Sequence, residues 1–154
     1  MTTLRVALAV PDYRYPRNDE RHCRISSLRM LCKKEQVDLV VFPEAYERQE
    51  GRQIQDVLDG FVTDFGVPVL MGIRTDDGFQ IATYSNPNRR PGDTATHLYV
   101  KHSSAAKLAF EWPNYRQARE RMFTPLVLNG HKLSVQICHD MYFGRCKARP
   151  WHTG

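Results

Sequence analysis

Short apolar runs alternate with segments of helical periodicity in the first half of the chain, and this order constrains the fold more than any other feature. The apolar runs cover residues 4–10, 37–42 and 67–73, each of a length typical of a β-strand. One helical segment lies between each run and the next. The resulting strand–helix–strand–helix–strand order predicts an α/β layered fold. Both helices are expected on one face of a sheet, and the other face also needs a cover.

The residues that begin and end helices delimit the two helical segments. Asn18 or Asp19 can cap a first helix that runs to about Glu35. Its predicted buried face is formed by Ile25, Leu28, Leu31 and Cys32. Six apolar residues of the second segment fall at helical spacing: Ile54, Val57, Leu58, Phe61, Val62 and Phe65. Gly66 follows them and is expected to end this helix, because glycine adopts the left-handed conformation of a helix C-cap.

The second half of the chain reads mainly as strands and turns. Strands are predicted near residues 79–84 and over residues 97–101, and a hairpin joins residues 126–128 to residues 133–137 through Asn129-Gly130. In the second strand of this hairpin, residues 133–137, apolar residues alternate with polar ones. We therefore expect one domain over residues 1–143, followed by an irregular tail over residues 144–154.

Composition narrows the class of protein. The 154 residues are 42% hydrophobic and 25% charged, which fits one soluble globular domain with a core. The net charge is +5, but basic residues are scattered among acidic ones, so a nucleic-acid partner is not expected. No apolar run approaches the roughly 20 residues that span a bilayer, and no membrane association is expected. The four cysteines show no paired short spacing, which favours a reducing, cytoplasmic location.

Three predicted strands end at residues that could carry chemistry. Glu44 follows the apolar run 37–42, Lys101 ends the strand 97–101, and Cys138 follows the strand 133–137. Each residue alone has an ordinary explanation: a solvated glutamate, a surface lysine and a small buried hydrophobe. In layered α/β folds, however, sites form at the carboxyl ends of strands. Together the three residues offer a base, a cation and a nucleophilic thiol.

The segments around these residues resemble the three signature blocks of the nitrilase, or carbon–nitrogen hydrolase, superfamily. The blocks are Val-Asp-Leu-Val-Val-Phe-Pro-Glu (37–44), Tyr-Val-Lys (99–101) and Ile-Cys-His-Asp (137–140), with further similarity over residues 66–72 and 130–133. The resemblance implies a nitrilase-like α-β-β-α sandwich. It also implies that Glu44 is the general base, Lys101 the cation that stabilises the tetrahedral intermediate, and Cys138 the nucleophile.

The resemblance implies a second glutamate and a substrate class, and three other residues are further candidates for the site. The family has a second glutamate between the lysine and the cysteine; Glu120 fits its setting, although Pro125-Leu126 replaces the expected Pro-Gly, and Glu111 is the rival candidate. Trp112 and Tyr115 are candidates to line the substrate pocket, or else belong to the core or an edge. His139, beside the nucleophile, is a candidate for specificity. The expected substrate is a small amide or N-carbamoyl compound, hydrolysed through a thioester without a cofactor.

The chain also departs from the family. Members run to nearly twice this length, whereas here little sequence follows the nucleophile, and residues 144–154 lack apolar periodicity. We therefore expect an incomplete sandwich, covering the N-terminal half to two-thirds of the fold, with an open sheet edge and an apolar face. A homo-oligomer or the missing segment would cover that face.

Two other interpretations stay open. The chain could be a catalytically inactive fragment that acts as an interaction module. A metal site from Cys138, His139, Asp140 and His131 is the other, and it is disfavoured because adjacent residues of a strand point to opposite faces.

Overall fold

The structure, a computed structural model, describes residues 3–10, 19–101, 124–135 and 137. Within these residues the chain forms two helices and eight strands. In order they are β1 (Val6–Leu8), α1 (Asp19–Lys34), β2 (Leu39–Val41), β3 (Glu47–Arg48), α2 (Ile54–Phe65), β4 (Val69–Arg74), β5 (Gln80–Ser85), β6 (Thr96–Val100), β7 (Leu126–Leu128) and β8 (His131–Leu133). The predicted α/β class is confirmed. No described helix combines the length and the apolar character needed to cross a membrane.

Most strands belong to one mixed sheet with the order β1-β2-β4-β5-β6. β1, β2 and β4 run parallel to one another, as strands joined through helices do. β5 pairs antiparallel with β4, and β6 pairs antiparallel with β5. The short β3 pairs with β4 on the same side as β2 but further along, with Glu47 opposite Ile73. The chain therefore leaves the sheet after β2, makes a turn above β4 and returns to the same edge of β4. The sequence did not predict β3.

Both helices pack on one face of this sheet, as predicted. Val40, Met71 and Ile81 point to that face and join Val57 and Leu58 of α2 in the main core cluster. The left-handed Gly66 ends α2, and its N–H donates to the carbonyl of Val62. Alpha-helix α1 buries Cys32 beside the partly buried Ile25 and Leu28. The prediction for Leu31 was wrong: it is half-exposed, because it lies on the flank of the narrow stripe formed by those three residues.

The hairpin β7–β8 covers part of the opposite face. Its buried Leu126 and Leu128 pack with Leu39 of β2 and Tyr84 of β5. Asn129 and Gly130 both have positive φ, 51° and 80°, as the tight turn of a two-residue hairpin requires.

The predicted hairpin is confirmed, but its second strand was predicted too far along the chain. β8 ends at Leu133, which is paired with Leu126, so the next residue would have to pair with Pro125. The two-residue turn Asn129-Gly130 sets the register, so the three residues of β7 pair with His131–Leu133 and the pairing stops there. Ser134, Val135 and Ile137 lie outside any strand. The predicted tail, residues 144–154, lies outside the described residues.

The edge of this second face is uncovered at β1. Val6 and Leu8 are paired with Leu39 and Val41 and therefore point to the hairpin side of the sheet. Leu8 is 67% exposed, and Val10 beyond it is 86% exposed. Within the described residues, β1 also has no strand on its outer edge. In the described part of the chain, β1 therefore presents an open strand edge with exposed apolar side chains.

Candidate active site

A partly buried ion pair joins two residues that the sequence singled out. The Nζ atom of Lys101 lies 2.6 Å from Oε1 of Glu44, although the two residues are 57 positions apart in the chain. The side chain of Lys101 is only 9% exposed and that of Glu44 is 26% exposed. The sequence predicted that these residues meet at strand ends, and the structure brings them into direct contact. Lysine is rarely this buried without a partner, and here the partner is a carboxylate.

The position of Lys101 is set by the pairing of β5 and β6. Val100, the last residue of β6, lies opposite Ile81, and the N–H of Lys101 extends the ladder by donating to the carbonyl oxygen of Gln80 at 2.9 Å. The ammonium also donates to Oε1 of Gln80 at 2.8 Å. Gln80 therefore contacts Lys101 through both its main chain and its side chain. Sequence reasoning missed Gln80, because its role depends on the register between two strands.

The position of Glu44 is set by the turn between β2 and β3, which passes very close to β4. A Cβ atom added to Gly72 would lie 2.4 Å from the carbonyl oxygen of Pro43 and 2.6 Å from Cα of Glu44. Ala45, the next residue, has a φ of 52°, a left-handed conformation that is uncommon for alanine. Because Gly72 lacks a side chain, the turn can approach the strand this closely. In the sequence, Gly72 is distinguished only as one residue of the segment 66–72, which resembles the family.

Aromatic side chains close the base of this turn. The rings of Phe42 and Tyr46, which flank the turn on either side of Glu44, have centroids 4.7 Å apart. Phe61 and Phe65 of α2 pack edge-on against Phe42, with centroid distances of 5.2 Å and 5.7 Å. These contacts anchor the turn on the helix layer. Glu44 is thereby held on a short, tightly connected segment.

Most other predicted site residues lie outside the described residues: Cys138, Glu120, Glu111, His139, Trp112 and Tyr115. One neighbour of the predicted nucleophile is described. Ile137 is buried and belongs to the same hydrophobic cluster as Phe42 and Val100. Three members of this cluster therefore lie just before a predicted site residue in the chain. Phe42 is two positions before Glu44, Val100 directly precedes Lys101, and Ile137 directly precedes Cys138.

Of the four residues considered for a metal site, only His131 is described. Among the described residues, no group of three or more histidine, cysteine or acidic side chains is arranged to hold a metal ion.

The described part of the site consists of one carboxylate, one ammonium and one neutral amide. An ammonium held this way can stabilise negative charge on a bound molecule, and the carboxylate can accept a proton. Comparison with known proteins adds no assignment: no protein-family model, curated protein or solved structure matches this chain.

Proposed function

We propose that this chain is a carbon–nitrogen hydrolase of the nitrilase type, which cleaves an amide or N-carbamoyl group of a small molecule through a cysteine thioester. The observation that carries the proposal is the partly buried ion pair between Lys101 and Glu44. Two of the three residues implied by the signature blocks form it, from distant parts of the chain. The corresponding fold is an incomplete α-β-β-α sandwich, with the helices α1 and α2 as one outer layer.

Glu44 acts as the general base. Its Oε1 atom accepts a hydrogen bond from Lys101, so its other carboxylate oxygen is the one assigned to take the proton from the thiol of Cys138. The thiolate is the nucleophilic form of cysteine. Its sulfur attacks the carbonyl carbon of the substrate, a C–S bond forms, and the carbonyl electron pair moves onto oxygen.

Lys101 acts on the charge that develops on that oxygen. Its ammonium stabilises the tetrahedral intermediate, which collapses with cleavage of the C–N bond. Glu44 returns the proton to the leaving ammonia or amine. Water then attacks the thioester with Glu44 again as base, the acid is released, and the thiol of Cys138 is restored.

The family resemblance also implies a second carboxylate, which would be Glu120, with Glu111 as its rival. His139 is proposed for specificity, and Trp112 and Tyr115 for the substrate pocket, with a place in the core or at an edge as their alternative. A homo-oligomer and a cytoplasmic location stay predictions.

The proposal is tested by measuring ammonia release from a panel of amides and N-carbamoyl amino acids. Cys138→Ala should abolish turnover. Lys101→Ala should lower kcat by about 10²–10³-fold, the usual loss when one oxyanion donor is removed. Lys33→Ala, at the exposed end of α1, is the matched control and should retain full activity. Mass spectrometry after treatment with an electrophile should still find Cys138 labelled in Lys101→Ala, but more slowly.

Two outcomes would contradict the proposal. Turnover that survives Cys138→Ala would exclude a thioester mechanism. A folded protein that releases no ammonia from any compound, and whose Cys138 reacts no faster than free cysteine, would favour the inactive interaction module.

A further inference from the structure

We propose that Gln80 is a positioning residue for the ammonium of Lys101, and that the site requires a neutral amide at this place and not a carboxylate. This inference rests on the proposed function, and it assigns a role to a residue outside the three signature blocks. Its starting point is the pair of hydrogen bonds that Lys101 donates to Gln80, one from the main chain at 2.9 Å and one from Nζ at 2.8 Å.

The two bonds fix the orientation of the Gln80 amide. An ammonium can only donate, so the oxygen and not the nitrogen of the amide must face Nζ. The main-chain bond holds the two residues opposite each other at the end of the β5–β6 ladder. Both side chains therefore leave the sheet on the same face, and Gln80 reaches Nζ alongside the aliphatic part of Lys101.

The same contacts determine where the ammonium points. Its three N–H groups are arranged around one nitrogen, and Glu44 and Gln80 each accept from the ammonium, at 2.6 Å and 2.8 Å. Once two directions are fixed, the third N–H has one direction left for a further acceptor. In the proposed mechanism that acceptor is the substrate oxygen. Without Gln80 the ammonium could rotate and give two N–H groups to Glu44.

The neutral charge of Gln80 matters as much as its oxygen. Glu44 and Lys101 cancel each other's formal charge, and the amide adds none. The reaction then places a negative charge on the substrate oxygen next to this group. A carboxylate at position 80 would accept the same hydrogen bond from Lys101 but would repel the developing charge. A purely structural role would favour the carboxylate, because a hydrogen bond between two charged groups is the stronger one.

The test compares Gln80→Glu with Gln80→Met, using Gln55→Glu and Gln55→Met as matched controls. Gln55 lies on the exposed side of α2, where its amide nitrogen donates to Asp59 at 2.7 Å, so the controls make the same two substitutions at an exposed glutamine that does not contact Lys101. Gln80→Met should lower kcat by roughly 10–100-fold with little change in KM, as misplacement of a catalytic group does. Gln80→Glu should unfold at the same temperature as the wild type or higher, yet lose at least about 10-fold in kcat. A Gln80→Glu enzyme as active as the wild type would overturn the proposal.

A second measurement does not depend on turnover. In protein labelled with ¹⁵N at the lysine side chains, the ammonium of Lys101, assigned with Lys101→Arg, should give a resonance protected from exchange with water. The protected signal should persist in Gln80→Glu and disappear in Gln80→Met. Its survival in Gln80→Met would refute the positioning role, whether or not the wild type is active. A wild type without turnover but with a Gln80-dependent signal would reject the hydrolase and retain the positioning role.

Discussion

Replacement of Gly72 by alanine should move the turn that carries Glu44. The added methyl group would lie 2.4 Å, 2.6 Å and 2.8 Å from three backbone atoms of Pro43, Glu44 and Ala45. Ordinary contacts of a Cβ atom begin near 3.4 Å, so the closest atom has to move by about 1 Å. Side chains can rotate away from a new methyl group, but backbone atoms cannot. The turn or the strand must therefore shift.

The size of the effect follows from this geometry. Overpacking costs typically about 1–3 kcal/mol, and a clash with backbone alone belongs at the upper end of that range. Alanine also restricts the unfolded chain, which returns about 0.4–1 kcal/mol. The net loss is about 2 kcal/mol, equivalent to a fall in Tm of roughly 4–8 °C for a chain of this size. A shift of Glu44 by 1 Å should lower kcat by about 10²-fold.

Gly60→Ala provides the matched control. Gly60 lies inside α2, where an added Cβ atom would meet nothing within 4 Å. Because alanine has the higher helix propensity, this variant should gain about 0.5–1 kcal/mol and retain its activity. Thermal unfolding followed by circular dichroism and the ammonia-release assay measure both variants. If Gly72→Ala shows the same Tm and kcat as Gly60→Ala, the close approach of the turn to β4 is not a constraint and the reasoning is refuted.

Two further predictions concern the second face of the sheet. Burial raises the pKa of Tyr84 to about 12 from its ordinary 10, so its contribution to stability should be complete below pH 10 and lost as the pH rises towards 12. Urea unfolding at pH 8 and pH 11 should show a smaller loss of stability in Tyr84→Phe than in the wild type, and an equal loss would contradict the assignment. Leu126→Ala should lower the free energy of unfolding by about 2–5 kcal/mol, because Leu126 of β7 is fully buried between the hairpin and the sheet. Leu8→Ala, at a largely exposed position of β1, should change it by less than about 0.5 kcal/mol, and similar losses in the two variants would show that the hairpin does not form the cover.

Elements with local signals were predicted well from the sequence. The predicted and observed bounds of α1 and α2 agree closely, because caps, apolar spacing and the terminal Gly66 act within a few residues. The Asn129-Gly130 turn is predictable for the same reason. Two other features depend on a partner strand. β3 forms only because it pairs with β4, and β8 ends where its partner β7 begins, at Leu126. Pairing of this kind leaves no local pattern in the sequence.

The candidate site divides in the same way. Glu44 and Lys101 could be selected from the sequence because they are ionisable residues at predicted strand ends. Gly72 and Gln80 could not, since their roles come from the register of neighbouring strands and from the path of the turn above β4. A glycine within one strand and a glutamine at the start of the next are ordinary in sequence. Their significance is visible only in three dimensions.

A need for stability explains the ion pair between Lys101 and Glu44 poorly. Replacing a buried ion pair by apolar residues is often neutral or stabilising, so such a pair is weak evidence of a need for stability. One further costly feature lies beside it: Ala45 has a left-handed φ of 52°, a conformation that costs on the order of 1–3 kcal/mol in a non-glycine residue. Ordinary substitutions could remove both the ion pair and this strain. Their occurrence together around one carboxylate is typical of a site where strain and burial hold reactive groups in position.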